Sequence, residues 1–158
     1  MISDNLSQML RKKILHYLPL LSSLSIEEVS VKPQATKWSK KEVIGHLIDS
    51  AINNSRRVII AQQQDHLLFD GYNQDVWVAA SGYQDRDWYD VIDTWSRINH
   101  HFSQIILQIP LVDMEKESII HNYHLIGFKN FEPDQVVTLR DLIVDYVDHI
   151  DHHLNQIT

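Results

Sequence analysis

Four stretches of this chain carry apolar residues at mixed three- and four-residue spacings for several turns each, a pattern that forms one continuous apolar face only on a helix. The first runs from Leu6 to Leu24 through Leu10, Ile14, Tyr17, Leu18 and Leu21. Pro19 lies inside it and removes a backbone donor, so a kinked first helix is expected. The second opens at Ser39, where Ser39 and Glu42 have the spacing of a capping box, and Trp38 and Val43 that of a hydrophobic staple. Its apolar face takes in Val43, Ile44, Leu47, Ile48, Ala51, Ile52, Val58 and Ile59, and it continues to about Gln63. The third spans about Asp87 to Ile109, carries Trp88, Trp95 and Phe102 among its apolar positions, and stops before Pro110. The fourth begins near Thr138, a suitable N-cap, and runs through Leu142, Tyr146, Ile150 and Leu154 to the C-terminus.

Only four glycines and four prolines occur in 158 residues, too few for the many tight reversals of a β-sandwich. The expected architecture is therefore all-α, one compact four-helix-bundle domain over residues 1–158. From Asp65 to Arg86 the periodicity fails and aromatics scatter among Asp70-Gly71 and Ser81-Gly82, which predicts an ordered crossover with short helical turns. Residues 111–137 form a second long connection, in which Ser118 to Ile126 reads either as a strand or as irregular chain. Antiparallel neighbours need only about 2–8 connecting residues, so two connections longer than ~20 predict at least one crossover along the bundle.

The charge balance, 14 basic against 21 acidic residues and a net −7, argues against a phosphate-backbone partner, because nonspecific nucleic-acid affinity comes from Lys and Arg. No nucleic-acid role is expected. The absence of cysteine excludes a disulfide framework, a thiolate ligand and a Cys nucleophile. The N-terminus has no basic start followed by an apolar run, and no stretch approaches the ~18 apolar residues of a membrane span, so a cytoplasmic protein without membrane association is expected. An apolar stripe left over from the bundle would allow a homodimer.

Ten histidines are the compositional anomaly, since neutral imidazole is the commonest metal ligand. His149-Ile150-Asp151-His152-His153 lies well inside the fourth helix. Residues four or three apart share a helix face, so either His149 with His153 or His149 with His152 suits a single ion. Periodicity separates the pairs. At 100° per residue His153 falls inside the apolar stripe and His149 on its edge, whereas His152 lies about 100° from His153 and faces solvent with Asp141, Asp145 and Asp148. A third ligand must come from another helix, and His46 is the candidate, although it sits roughly 60° beyond the edge of its own stripe. A ferritin-like di-iron centre is excluded, because no histidine has an Asp or Glu three residues before it. His16, His66, His100, His101, His121 and His124 read as structural or exposed.

Two of these stretches carry a family resemblance. Lys37-Trp38-Ser39-Lys40-Lys41-Glu42-Val43-Ile44-Gly45-His46-Leu47-Ile48-Asp49-Ser50, followed by Asn54 and Arg56-Arg57, resembles the second-helix signature of the DinB/YfiT-like metalloenzymes. The ending from Asp145 to Ile157 is similar to that family's last helix, and the Gly71 to Trp77 stretch falls in matching order. The resemblance implies a four-helix bundle of up-down-down-up connectivity with one divalent ion, zinc or nickel, near one end. Its implied ligands are His46, His149 and His153, and no family ligand position is missing. It also implies a small-molecule substrate and either metal-dependent hydrolysis or transfer to a low-molecular-weight thiol such as bacillithiol or mycothiol. The alternative is a non-catalytic, stress-associated protein whose ion only ties two helices together. Metal-bound imidazoles usually donate their second N–H to a neighbouring group, and Asp49, Asn53 and Asp145 stand at suitable offsets. Asn53 and Arg57 flank the His46 face, where an anionic substrate or a structural bond would suit them.

Overall fold

A computed structural model describes residues 1–158 as eight helices and one turn of 3₁₀-helix. Four helices are long: α1 (Ile2–Ser22), α3 (Lys40–Ala61), α5 (Trp88–Gln108) and α8 (Leu139–Ile157). Short ones lie between them, α2 (Ile26–Ser30) before α3, α4 (Gln74–Ser81) before α5, and α6 (Leu111–Met114) and α7 (Tyr123–Ile126) before α8. No helix is long and apolar enough to cross a membrane.

Side-chain caps set most helix starts. Ser39 accepts from the Glu42 amide while the Glu42 carboxylate accepts from the Ser39 amide, and Thr138 and Asp141 repeat this reciprocal pairing at α8. Asp87 caps α5 by accepting from the Asp90 amide. Helix α1 differs from expectation by starting at Ile2 rather than Leu6 and passing through Pro19 as one helix. The carbonyl that Pro19 leaves without an amide partner belongs to Leu15, which is exposed, so water can satisfy it.

Inter-helix hydrogen bonds give the direction of each helix. Ser3 and Ser7 donate to the carbonyls of Ile109 and Ser103, and the Trp88 indole donates to the Leu21 carbonyl, so α1 and α5 run antiparallel. Lys41 donates to the Arg86 carbonyl at 2.8 Å, bringing the starts of α3 and α5 together as parallel neighbours. The Tyr17 hydroxyl lies 2.8 Å from Asn155 Oδ1, and Lys13 pairs with Asp151, joining the late turns of α1 and α8. His46 meets His153, and Ser50 one turn later meets His149, so α3 and α8 are antiparallel. The order is up, down, down, up. Helices α1 and α3 each pack along α5 and α8, which places α1 diagonally opposite α3 and α5 diagonally opposite α8.

This connectivity explains the long connections. The parallel α3 and α5 require a return along the bundle, which residues 62–87 supply through α4. Residues 109–138 hold α6 and α7, and isolated bridges pair Leu67 with His121 and Ser118 with Val137, so Ser118 to Ile126 makes two ladder contacts and then a helical turn rather than a strand. The core contains Trp88, Trp95, Phe102 and Tyr146, with the Tyr146 hydroxyl hydrogen-bonded to Asn99. Ile52 and Ile59, expected on the apolar face of α3, are more than two-fifths exposed.

Gly45 controls how the crossover seats on α3. A Cβ built there would lie 2.0 Å from Tyr83 Cδ2, so the Tyr83 ring occupies the space that any side chain would need. In an exposed helix interior a Gly→Ala change stabilises by up to ~1 kcal/mol. Here Gly45→Ala is expected to destabilise by about 3 kcal/mol through overpacking, measured by urea denaturation; a neutral or stabilising result would contradict this seating.

Candidate metal centre

The capping box phases α3 so that its second turn presents His46 inward, where only 1% of its surface remains exposed. Periodicity had placed this residue outside the apolar stripe. Helix α8 supplies the reason for its burial, since His149 and His153, one turn apart, meet edge to face with ring centroids 4.7 Å from each other and 5.0 and 5.1 Å from His46. One ring nitrogen from each of the three lies within 4.8 Å of the others. His46 Nε2 and His149 Nε2 are 3.1 Å apart. His152, three residues after His149, is exposed and stays outside this group while lining the cavity beside it.

Burial disfavours the charged form of all three imidazoles, pushing His46 and His153 from 6.5 down to about 4 and His149 to about 3, and the neighbouring rings add repulsion to any second proton. The cluster is neutral at physiological pH, the state a metal ligand requires. Two nitrogens each about 2.0–2.1 Å from one tetrahedral zinc lie roughly 3.4 Å apart, close to the observed His46–His149 separation. His46 Nδ1, the nitrogen that a metal-bound imidazole usually uses to donate to a neighbour, is buried without a partner. The donor set therefore fits a divalent ion.

The surrounding residues divide by what they touch. Trp38 lies over His46 and Phe128 over both His149 and His152, at centroid separations near 5 Å. Ser50 Oγ is 3.4 Å from His149 Nδ1. Asp49 is buried, accepts from the Tyr83 hydroxyl at 2.7 Å on one oxygen and leaves the other without a partner, and desolvation raises its pKa. It stands one turn from His46, whose Nδ1 is likewise unpartnered. Asn53 donates to the Asp49 carbonyl. Asp145 does not belong to the wet face expected for it, because it is 4% exposed and accepts from the amides of Phe128 and Lys129. No imidazole bonds to it; its carboxylate holds the 127–129 loop over α8.

The cluster borders a cavity of about 350 Å³ whose lining includes Ser50, Asn54, Arg57, Tyr72, Phe128 and His149. Tyr72 and Phe128 come from the two connections, where no periodicity marked them. Arg57 is almost fully buried and donates to the Asp70 carbonyl.

The metal-free cluster has a signature in solution. Below pH 6.5 the unfolded chain takes up protons that the folded imidazoles refuse until about pH 4, so stability is full above pH 6.5 and falls as the pH drops through that window. Each histidine contributes a slope of at most about 1.4 kcal/mol per pH unit. Unfolding of the metal-free protein between pH 6.5 and 5 should show this dependence, and a His46→Gln/His149→Gln double variant should flatten it; identical slopes would mean that the folded imidazoles titrate normally.

Comparison with known proteins supports the architecture. The DinB superfamily profile matches residues 10–157. A solved structure, YfiT from Bacillus subtilis, superposes with a TM-score of 0.75 at 15% sequence identity, covering 98% of this chain and 83% of that one. It is described as a probable metal-dependent hydrolase with an unusual four-helix bundle topology. At this identity the likeness speaks for the fold. No curated protein sequence matches the chain.

Proposed function

The chain belongs to the DinB superfamily, and from that premise we propose that it is a metal-dependent enzyme acting on a small molecule, with His46, His149 and His153 holding one divalent ion, zinc or nickel. The observation that carries this reading is the convergence of three neutral ring nitrogens beside a cavity, with no fourth His, Cys, Asp or Glu in the group. Such an ion supplies Lewis acidity and lowers the pKa of bound water or of a bound thiol.

The chain's own residues would do the rest. Trp38 and Phe128 shield the imidazoles from bulk water, which strengthens electrostatic interactions within the site. Ser50 and Asn54 offer polar groups on the cavity wall. The two reactions that suit this arrangement are hydrolysis, in keeping with the description of the YfiT structure, and S-transfer from a low-molecular-weight thiol. The cavity favours either over an ion that only ties α3 to α8, because a closed structural site is completed by a fourth protein ligand.

Untagged protein purified without added metal should contain about one zinc or nickel per chain by elemental analysis. His46→Ala and His153→Ala should each abolish stoichiometric binding, and His152→Ala should leave it nearly intact. Equal losses from all three variants, or no uptake at micromolar excess, would overturn the assignment. With metal bound, hydrolysis and thiol transfer should be screened with and without chelator; chelator-sensitive turnover supports the enzyme reading, and none in either screen would leave the ion a structural role.

A further inference from the structure

Beyond the imidazoles, the same cavity contains a charge that no carboxylate contacts. Arg57 is 4% exposed, and its guanidinium makes one hydrogen bond, from Nη2 to the Asp70 carbonyl at 3.0 Å. A guanidinium has five N–H donors. No carboxylate lies within ion-pair distance of it, although the chain carries 21 acidic residues. The Tyr72 ring lies 5.9 Å away and contributes a π face, not a negative charge. The carboxylate that also lines this cavity, Asp145, is already bonded to two backbone amides. The Asp70 charge acts on Arg57 only from beyond ion-pair distance, and a desolvated cation without a contacting counter-charge is costly, so natural proteins pair such groups or use them.

Arg57 also shares a helix face with the imidazole cluster. Ser50, Asn54 and Arg57 follow His46 at four, eight and eleven residues, offsets that return to one side of a 3.6-residue helix. The rise from Ser50 to Arg57 is on the order of 10 Å, and long helical side chains lean toward the N-terminus, here toward His46. The largely polar lining also includes Leu125 and Phe128, which are exposed at the cavity, with Phe128 over His149.

Resting on the metal-enzyme reading above, we propose that the cavity takes an elongated small molecule with an oxyanion at one end, a carboxylate or a phosphate monoester, which Arg57 binds. The reacting end then meets His46, His149 and His153, with an apolar stem against Phe128 and Leu125. Arg57 thus sets substrate class and register, and touches no reacting atom.

The test uses 6-mercaptohexanoate and 6-mercaptohexanol, which share a stem and a thiol and differ in the charge at the far end. Binding to cobalt-loaded protein is followed by the thiolate-to-cobalt absorption. The acid should bind about tenfold tighter than the alcohol, Arg57→Gln should reduce that preference to about twofold or less, and Arg57→Lys should retain part of it. Metal stoichiometry should be unchanged in both variants. Hexanoate, hexyl phosphate and hexanol, titrated into metal-free wild-type protein, form an independent arm, read on the Arg57 Nε–H resonance. The two anions should shift that resonance and hexanol should not; the stronger of the two anions names the oxyanion. Equal affinity for acid and alcohol in the wild type, or a preference that survives Arg57→Gln, would overturn the proposal. If no cobalt loads while hexanoate still shifts Arg57, the anion site stands and the metal reading fails.

Discussion

The contact on which the rest of the site depends is that of Tyr83 with α3. Its ring fills the place of a side chain at Gly45, and its hydroxyl donates to Asp49 one turn further on. Two points of attachment on one face fix both the height and the rotation of the crossover relative to the helix. Because His46 lies between those points in sequence, the same contact settles which side of α3 remains free to face α8. The capping box at Ser39 holds the helix start just before it, so the phase of His46 is determined from both directions.

The connectivity then brings the imidazoles together. Antiparallel packing of α3 on α8 sets a residue early in α3 beside residues late in α8. The two long connections contribute the walls, Tyr72 from the first, with the Trp77 ring beside it, and Phe128 from the second. Asp145 joins the second wall to α8 through two amide hydrogen bonds, so one buried carboxylate determines where Phe128 lies over the histidines.

Burial of so many polar groups at one end of a bundle costs stability, and the fold offsets it unevenly. Asp145, Asn99 and Asn54 have partners. His46 Nδ1 and one oxygen of Asp49 do not, and Arg57, at the cavity, makes a single hydrogen bond. Structural cores rarely leave such groups unpaired, whereas binding sites do so because the ligand completes them. Two of the unpaired groups, on His46 and Asp49, lie one turn apart on α3 near the cluster, while Trp95 Nε1 on α5 and Glu115 Oε1 after α6 are unpaired elsewhere in the fold.

The sequence determined the helices by itself, because periodicity and side-chain caps are local properties: Ser39 with Glu42 and Thr138 were readable without any tertiary information. It also paired His149 with His153 on one face, since a four-residue offset and the apolar stripe act within a single helix. Periodicity alone could not bury His46, which sits off the stripe of α3 and is covered only because another helix presents imidazoles to it. Periodicity permitted His46 as a candidate third ligand, and the family resemblance implied it as one. The tertiary structure decided the rest, namely the exposure of Ile52 and Ile59, the burial of Asp145, the seat of Tyr83 on Gly45 and the unpaired charge of Arg57. Each of these depends on which surface residues distant in sequence come to occupy, and that is a property of packing rather than of local pattern.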